Sequence, residues 1–505
     1  MGWNGYNFAQ CTPELDESKV KSIAQAMTSS GMQSAGYRYV NLDSCWQLPR
    51  SPDGKRVFDT VRLPSGIDSF SEWLHARGLS LGVYSHIQDC GSQPGGEGYE
   101  TSDAESYAAW RVDYLKYVQC GPPAQVSRKA VSDMTAALAA GDRPIVLSLD
   151  SVSFQEWMRD VAQVWRTSSD AEPTWASIVK SIDATVPLAA YARPGAFNDP
   201  DALEIGNGEL TEGEQRVQFS VWSILSAPLL AGNDISQMND ATRSILTNAE
   251  LIAFNQDPLG LQAARIPHDG DVEVLAKPLA ECGARAAVLW NRAESEAAVS
   301  LTWKDLWLEP GTASVRDLWG GALLTTSMAG FDVVVPARDA VAVRVQGVEP
   351  PLPRGRVYLS DLKWTYATNG YGPVELDTGN GERAALDGPP IRLRGAAYEK
   401  GLGVHGPSLI RYRLGQACSR FVADVGISDD TDARGSAQFE VWADGELLFE
   451  SGVLTGTSPV SSVNLDVSGR RELRLFVGGG GDGYDVDHGV WAGALLECDG
   501  AAQGL

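Results

Sequence analysis

The sequence predicts a (β/α)8 barrel followed by two all-β domains, and three observations carry that prediction. Up to about residue 255, short runs rich in β-branched and aromatic residues alternate with stretches of helical periodicity, the signature of a parallel β/α fold. From about residue 261 the helical periodicity stops and alternating strands take over. A stiff Pro350-Pro351-Leu352-Pro353 segment then leads into a last stretch that is all strands and Gly- and Asp-rich turns. At 505 residues the chain is too long for one ordinary core, and 43% apolar residues with 15 Trp are ample to fold two or three. The expected domains are 1–260, 261–348 and 354–499.

Taken in order, Gly2-Trp3-Asn4 is the first strand, followed by Tyr39 to Asp43, Leu79 to Ser85, Tyr114 to Val118 and Pro144 to Asp150. Val164 to Arg166, Gly195 to Asp199 and Pro228 to Ala231 complete eight. Helical stretches fall between them at Asp16 to Ser29, Ser69 to Arg77, Ser102 to Trp110, Gln125 to Ala140 and Gly213 to Ser226. Polar residues collect at the C-terminal ends of these strands, where barrels of this kind place their active sites. Past the barrel, strands are expected at Val272 to Ala276, Ala286 to Trp290, Ala298 to Leu301, Val333 to Val335 and Ala340 to Val345, and the last region reads as all-β.

A net charge of −24 disfavours nucleic acid and anionic lipid as partners. No apolar run is long enough to span a bilayer. Of the 7 cysteines, Cys11, Cys45, Cys90 and Cys120 lie in the barrel region, while Cys282, Cys418 and Cys498 come later, so at least one thiol lacks an intramolecular partner. None has CxxC spacing, and His86, Asp43 and Asp150 match no recognised metal-ligand spacing, so no metal or other cofactor is expected.

The chemistry centres on Val112-Asp113-Tyr114-Leu115-Lys116-Tyr117-Val118-Gln119-Cys120, a buried strand ending in a cysteine. It resembles the V-D-Y-L-K-Y-D-x-C strand of glycoside hydrolase family 27, the α-galactosidases and α-N-acetylgalactosaminidases. The resemblance extends to Met1-Gly2-Trp3-Asn4, to Arg166-Thr167-Ser168-Ser169-Asp170 with Trp175, and to Asn255-Gln256-Asp257-Pro258-Leu259-Gly260. In the last region, Tyr358-Leu359-Ser360-Asp361-Leu362, Asn369 to Glu375, Lys400 to His405 and Gly480-Gly481-Asp482-Gly483 resemble an NPCBM module. That resemblance implies a jelly-roll β-sandwich that binds carbohydrate; a sandwich that merely braces the barrel is an equal alternative.

In the resembled family the aspartate after Lys-Tyr is the nucleophile of a retaining mechanism. Val118 stands there and can neither attack a sugar carbon nor take a proton. The resemblance makes Asp170 the general acid, with Arg166 holding its loop; the bland reading of Asp170 is a helix N-cap. It also implies Trp3 and Tyr6 as apolar walls, Asp43 as acceptor of a sugar hydroxyl, Tyr84 and Cys90 as floor, Lys116 as donor and Asp201 as acceptor beside the reacting carbon. Asp199 reads equally well as a turn residue before Pro200. An unpaired lysine inside a barrel would be costly, so Lys116 needs partners.

Three departures bear on specificity. Ser44 replaces the acidic residue that selects the axial 4-hydroxyl of galactose, His86 replaces an aspartate, and Leu149-Asp150-Ser151-Val152 replaces the family's L-C-E-W. With no nucleophile, inversion by water needs a base about 6.5–9.5 Å from the acid. Asp150 and His86, at the ends of the strands flanking Val118, are the candidates, each weighed against being an ordinary rim residue. Three functions follow: an α-glycosidase, α-galactosidase-like, with an altered, inverting mechanism and altered sugar; a lectin-like, non-catalytic relative; or a retaining enzyme disabled at Val118. The expected partner is an oligosaccharide or glycoside. The resemblance also implies disulfides Cys11–Cys45 and Cys90–Cys120, which need an oxidising compartment. Met1 sits inside a motif that normally follows a signal peptide, so a trimmed, secreted form is expected.

Overall fold

The computed structural model describes residues 1–498 apart from 11, 13, 45, 92, 121–126, 152, 153, 382, 433 and 482. Eight parallel strands form the first sheet: β1 (Gly2–Asn4), β2 (Tyr39–Leu42), β3 (Ser80–His86), β4 (Tyr114–Val118), β5 (Val146–Asp150), β6 (Val164–Arg166), β7 (Phe197–Asp199) and β8 (Leu230–Ala231). They run in the order β8-β1-β2-β3-β4-β5-β6-β7. The ring closes just past β7, where Leu203 bridges Ala231, its N–H donating to Leu230 O at 2.8 Å.

The helices pack one apolar stripe inward. Helix Glu17–Ser29 buries Val20, Ile23, Ala24 and Met27, a spacing that lines one helical face, and Asp16 caps it by accepting from Lys19 N. Helix Glu212–Ile224 opens with a capping box between Thr211 and Glu214 and buries every residue from Val217 to Ile224. All-round burial arises because it lies between the barrel and the second domain, against strands Ala284–Asn291 and Ala340–Val348. Helix Trp175–Thr185, not anticipated in the sequence, follows β6 and is capped by Thr174.

The second domain packs a six-stranded antiparallel sheet against the pair Ala297–Thr302 and Gly330–Val335. Its strands Glu309–Asp317 and Leu323–Ser327 escape a reading of periodicity because much of the second is exposed on both faces. The third is a sandwich. One sheet runs Tyr366–Thr368, Ser408–Arg413, Glu472–Gly479, Ser436–Ala443, Glu446–Thr455. The other contains Gly401–His405, His488–Cys498 and Cys418–Ile427, with Gly355–Tyr358 paired to His488–Cys498.

Cys90 and Cys120 form the expected disulfide, tying the ends of the segments after β3 and β4. Cys11 and Cys45 lie outside the described residues. Cys418 pairs with Cys498, which the sequence did not announce, and Cys282 is a free, exposed thiol. Among the described residues no helix is long and apolar enough to cross a membrane.

Candidate active site

Strand register sets the site. His86 of β3 pairs with Val118 of β4, and Val118 with Asp150 of β5, so the three end their strands side by side. Two residues earlier on the same face, Tyr84 pairs with Lys116, and Lys116 with Ser148. Val118 thus offers methyl groups between an imidazole and a carboxylate.

Lys116 Nζ lies 3.1 Å from Asp150 Oδ2 and 3.5 Å from Asp43 Oδ2. Burial opposes its charge, but Asp43, Asp150 and Asp201 outweigh burial and hold the ammonium well above the usual lysine value. Asp43 also accepts from Asn4 Nδ2 at 2.9 Å and from Ser44 N at 2.7 Å, which fixes its carboxylate.

Arg166, at the end of β6, is fully buried and gathers three carboxylates. Its Nη1 donates to Asp150 Oδ2 at 3.0 Å; its Nη2 lies 3.2 Å from Asp170 Oδ1 and 3.0 Å from Asp201 Oδ2. Asp150 and Asp170 therefore flank one guanidinium, Asp150 mostly buried and Asp170 with 76% of its side chain exposed. Thr174, not Asp170, caps the following helix, so the capping alternative for Asp170 falls away. Asp201 sits at φ +85°, and Ala171 N donates to its Oδ2 at 2.8 Å. Burial would raise its pKa, yet Arg166, Lys116 and backbone N–H groups bring it below the usual carboxylate range. Asp199 differs: burial pushes its carboxyl up to about 7, although Arg166 lies near, and its Oδ1 accepts from Asp201 N at 2.9 Å, as a turn residue would.

His86 is enclosed. Its Nε2 meets Tyr84 OH at 3.1 Å, and its Nδ1 is buried with no hydrogen-bond partner. Burial, then the nearby Arg56 charge, pulls the imidazole down to about 4. Burial likewise lifts the Tyr84 phenol well above its ordinary value. Trp3 lies wholly in the core, its indole N–H donating to Asn233 O at 2.8 Å, whereas Tyr6 is half-exposed. Ser151 is buried and its hydroxyl points at the Met158 sulfur, 3.9 Å away. Cys90 is held in its disulfide.

Asn4 and Arg56 escaped the sequence reading. Asn4 was within reach, as the last residue of the Met1-to-Asn4 motif. Arg56 carried no local signal; it reaches the site from the β2–β3 connection, donating to Ser85 Oγ at 2.7 Å and pairing with Asp103. Among the described residues no group of three or more His, Cys, Asp or Glu side chains could hold a metal ion.

Comparison with known proteins fits this geometry. Residues 7–257 match the family model "Alpha galactosidase A", 269–345 its C-terminal β-sandwich domain, and 355–497 the NPCBM/NEW2 domain. The chain is 41% identical to an α-galactosidase of Cyamopsis tetragonoloba over 327 residues, 63% of this chain and 79% of that one. The crystal structure of α-galactosidase I from Mortierella vinacea superposes with a TM-score of 0.63 at 30% identity, covering 69% of this chain and 96% of its own. An α-galactosidase of Saccharomyces cerevisiae, solved with raffinose, gives 0.64 at 25% identity over 69% and 97%.

Proposed function

Because the chain belongs to the α-galactosidase family of glycoside hydrolases, we propose that it hydrolyses an α-linked glycoside with the residues left to it. Asp170 donates the proton to the leaving oxygen, and Asp150 aims a water at the anomeric carbon with inversion. The observation that carries this reading is the shared guanidinium: Arg166 contacts both carboxylates, so acid and base face one substrate position. Val118 leaves methyl groups where the attacking carboxylate stands in the resembled family, so a water must take its part. Lys116, Asp43 and Asp201 bind sugar hydroxyls. His86 is the poorer base, because its imidazole is enclosed and engaged by Tyr84. Ser44 cannot accept a hydroxyl as a carboxylate does, so the sugar differs from galactose at that contact. The domain limits 1–260, 261–348 and 354–499, and secretion, complete the proposal.

One observation favours a lectin-like alternative. Asp150 Oδ2 contacts both Lys116 and Arg166, and an oxygen so engaged is not free to aim a water. NMR of the first-formed sugar separates the readings. Initial release of the inverted anomer is expected; initial release of the retained anomer would remove the inverting mechanism. Saturable sugar binding without turnover on a broad glycan panel would favour the lectin.

A further inference from the structure

The barrel and the third domain meet over a seam that encloses a cavity of about 90 Å³, lined by Arg159, Tyr191 and Arg193 of the barrel and by Leu409, Trp442 and Phe476 of the sandwich. Arg159 and Arg193 lie in the connections that enter β6 and β7, well away from the strand ends that carry Asp150 and Asp170.

The two arginines are unequally satisfied. Arg159, nearly fully buried, gives Nη2 to both oxygens of Glu440, at 2.7 and 3.0 Å, and stacks its guanidinium 4.1 Å from the Phe476 ring. Its Nε has no hydrogen-bond partner, with the nearest carboxylate, Asp160, 3.7 Å away. Arg193 donates Nη2 to Arg159 O at 3.0 Å and lies 5.1 Å from the Trp442 ring, but its Nη1 is buried without a partner. Among the described residues no ion pair satisfies Arg193. Burial and then the Arg159 charge push its guanidinium below the usual arginine value, and Glu440 and Asp160 only partly offset them. Arg474, also in the lining, is already engaged by Glu472. Glu156, near Arg159, carries only part of a charge at neutrality, since burial pushes its carboxyl up to about 7.

Two guanidinium groups in one small cavity, each with a buried N–H left over, make an arrangement that an anion completes. The volume leaves room for a carboxylate group. We infer that this cavity is a carboxylate site, held by Arg193 and Arg159 across the seam between barrel and sandwich. Its ligand is either a free monocarboxylate or the carboxylate of an acidic sugar, whose ring would rest at the mouth beside Trp442. Either would couple the two domains, because each contributes part of the lining.

The test is thermal unfolding of the full chain at constant ionic strength with acetate, galacturonate, galactose or chloride. Acetate and galacturonate should each give a saturable rise in Tm of about 2 °C, and chloride none. A midpoint at least tenfold lower for galacturonate identifies the acidic sugar as the source; equal midpoints identify the carboxylate alone. Arg193→Gln should weaken the acetate response at least tenfold. Leu409→Phe, which fills the cavity and keeps both arginines, should abolish it and decides the matter if Arg193→Gln does not fold. No rise with either acid, an unchanged rise in Leu409→Phe, or an equal rise with galactose that Leu409→Phe removes would overturn the inference.

Discussion

Val118 and Asp150 are register partners on adjacent strands, so a carboxylate stands one strand away from the position where a carboxylate is missing. Asp150→Asn should lower kcat by about 10²–10⁴-fold, the usual contribution of a general base. Val118→Asp should shift some product to the retained anomer by pairing a nucleophile with Asp170. A kcat for Asp150→Asn within threefold of the unaltered protein would dismiss Asp150 as base.

Asp170 should be the acid in any turnover. Its side chain is largely exposed and, among the described residues, is held by Arg166 at 3.2 Å, which leaves it open to a leaving oxygen. Asp170→Asn should cost about 10²–10⁴ in kcat on natural glycosides. A loss below tenfold rules the role out.

His86 should contribute little to the rate. With its imidazole held near 4, it is neutral across the physiological range, so a kinetic limb near pH 6–7 belongs to another group. The stability sign is fixed too. A histidine whose folded pKa lies below its unfolded value of about 6.5 costs stability as pH falls from 6.5 to 4. His86→Gln should therefore keep kcat within about threefold and flatten the fall in Tm over that window; a steeper fall would contradict the burial argument.

Ser44 should make p-nitrophenyl α-galactoside a poor substrate. Losing a charged hydrogen bond to a hydroxyl costs about 1.5–3 kcal/mol. Ser44→Asp should raise kcat/KM on that substrate by at least tenfold, provided turnover occurs at all. An unaltered protein that already turns it over at rates typical of the family would show that another group reads the hydroxyl.

Lys277 gives a prediction remote from the site. It is almost fully buried, donates to Ser226 Oγ at 2.6 Å and Leu261 O at 3.0 Å, and burial pulls its ammonium down to about 7. Between pH 7 and about 10.4 the unfolded chain binds a proton that the folded one lacks, so stability gains with rising pH across that window. Relative to Lys277→Met, the unaltered protein should gain Tm from pH 7 to 9 and be the less stable of the two at pH 6. Parallel curves would show a proton retained on Lys277.

How much of this the sequence disclosed depends on the range of the interactions. Strands β1, β4 and β6 were readable to the residue, because their side chains alternate or run apolar within a few positions. The row His86-Val118-Asp150 was readable too, since it needs only strand ends and their order. What Asp150 does with its charge was not: its partners Lys116 and Arg166 come from two other strands. Part of what holds the His86 imidazole neutral is the charge of Arg56, thirty positions earlier with no periodicity to mark it. The Cys418–Cys498 bridge was hidden for the same reason, as only the pairing of Cys418–Ile427 with His488–Cys498 brings the two together.

The apolar core of the barrel does not stop at the proline linker. Tyr366, Leu409 and Phe476 of the third domain belong to the same continuous cluster as Trp165 and Tyr191, and Tyr366 OH donates to Gln262 O at 2.9 Å. A chain cut at Pro350 would therefore expose a raw hydrophobic face on each fragment, and neither would be a natural unit for expression, crystallisation or grafting onto another enzyme. The sandwich is less a tethered accessory than a wall of the barrel made from distant sequence.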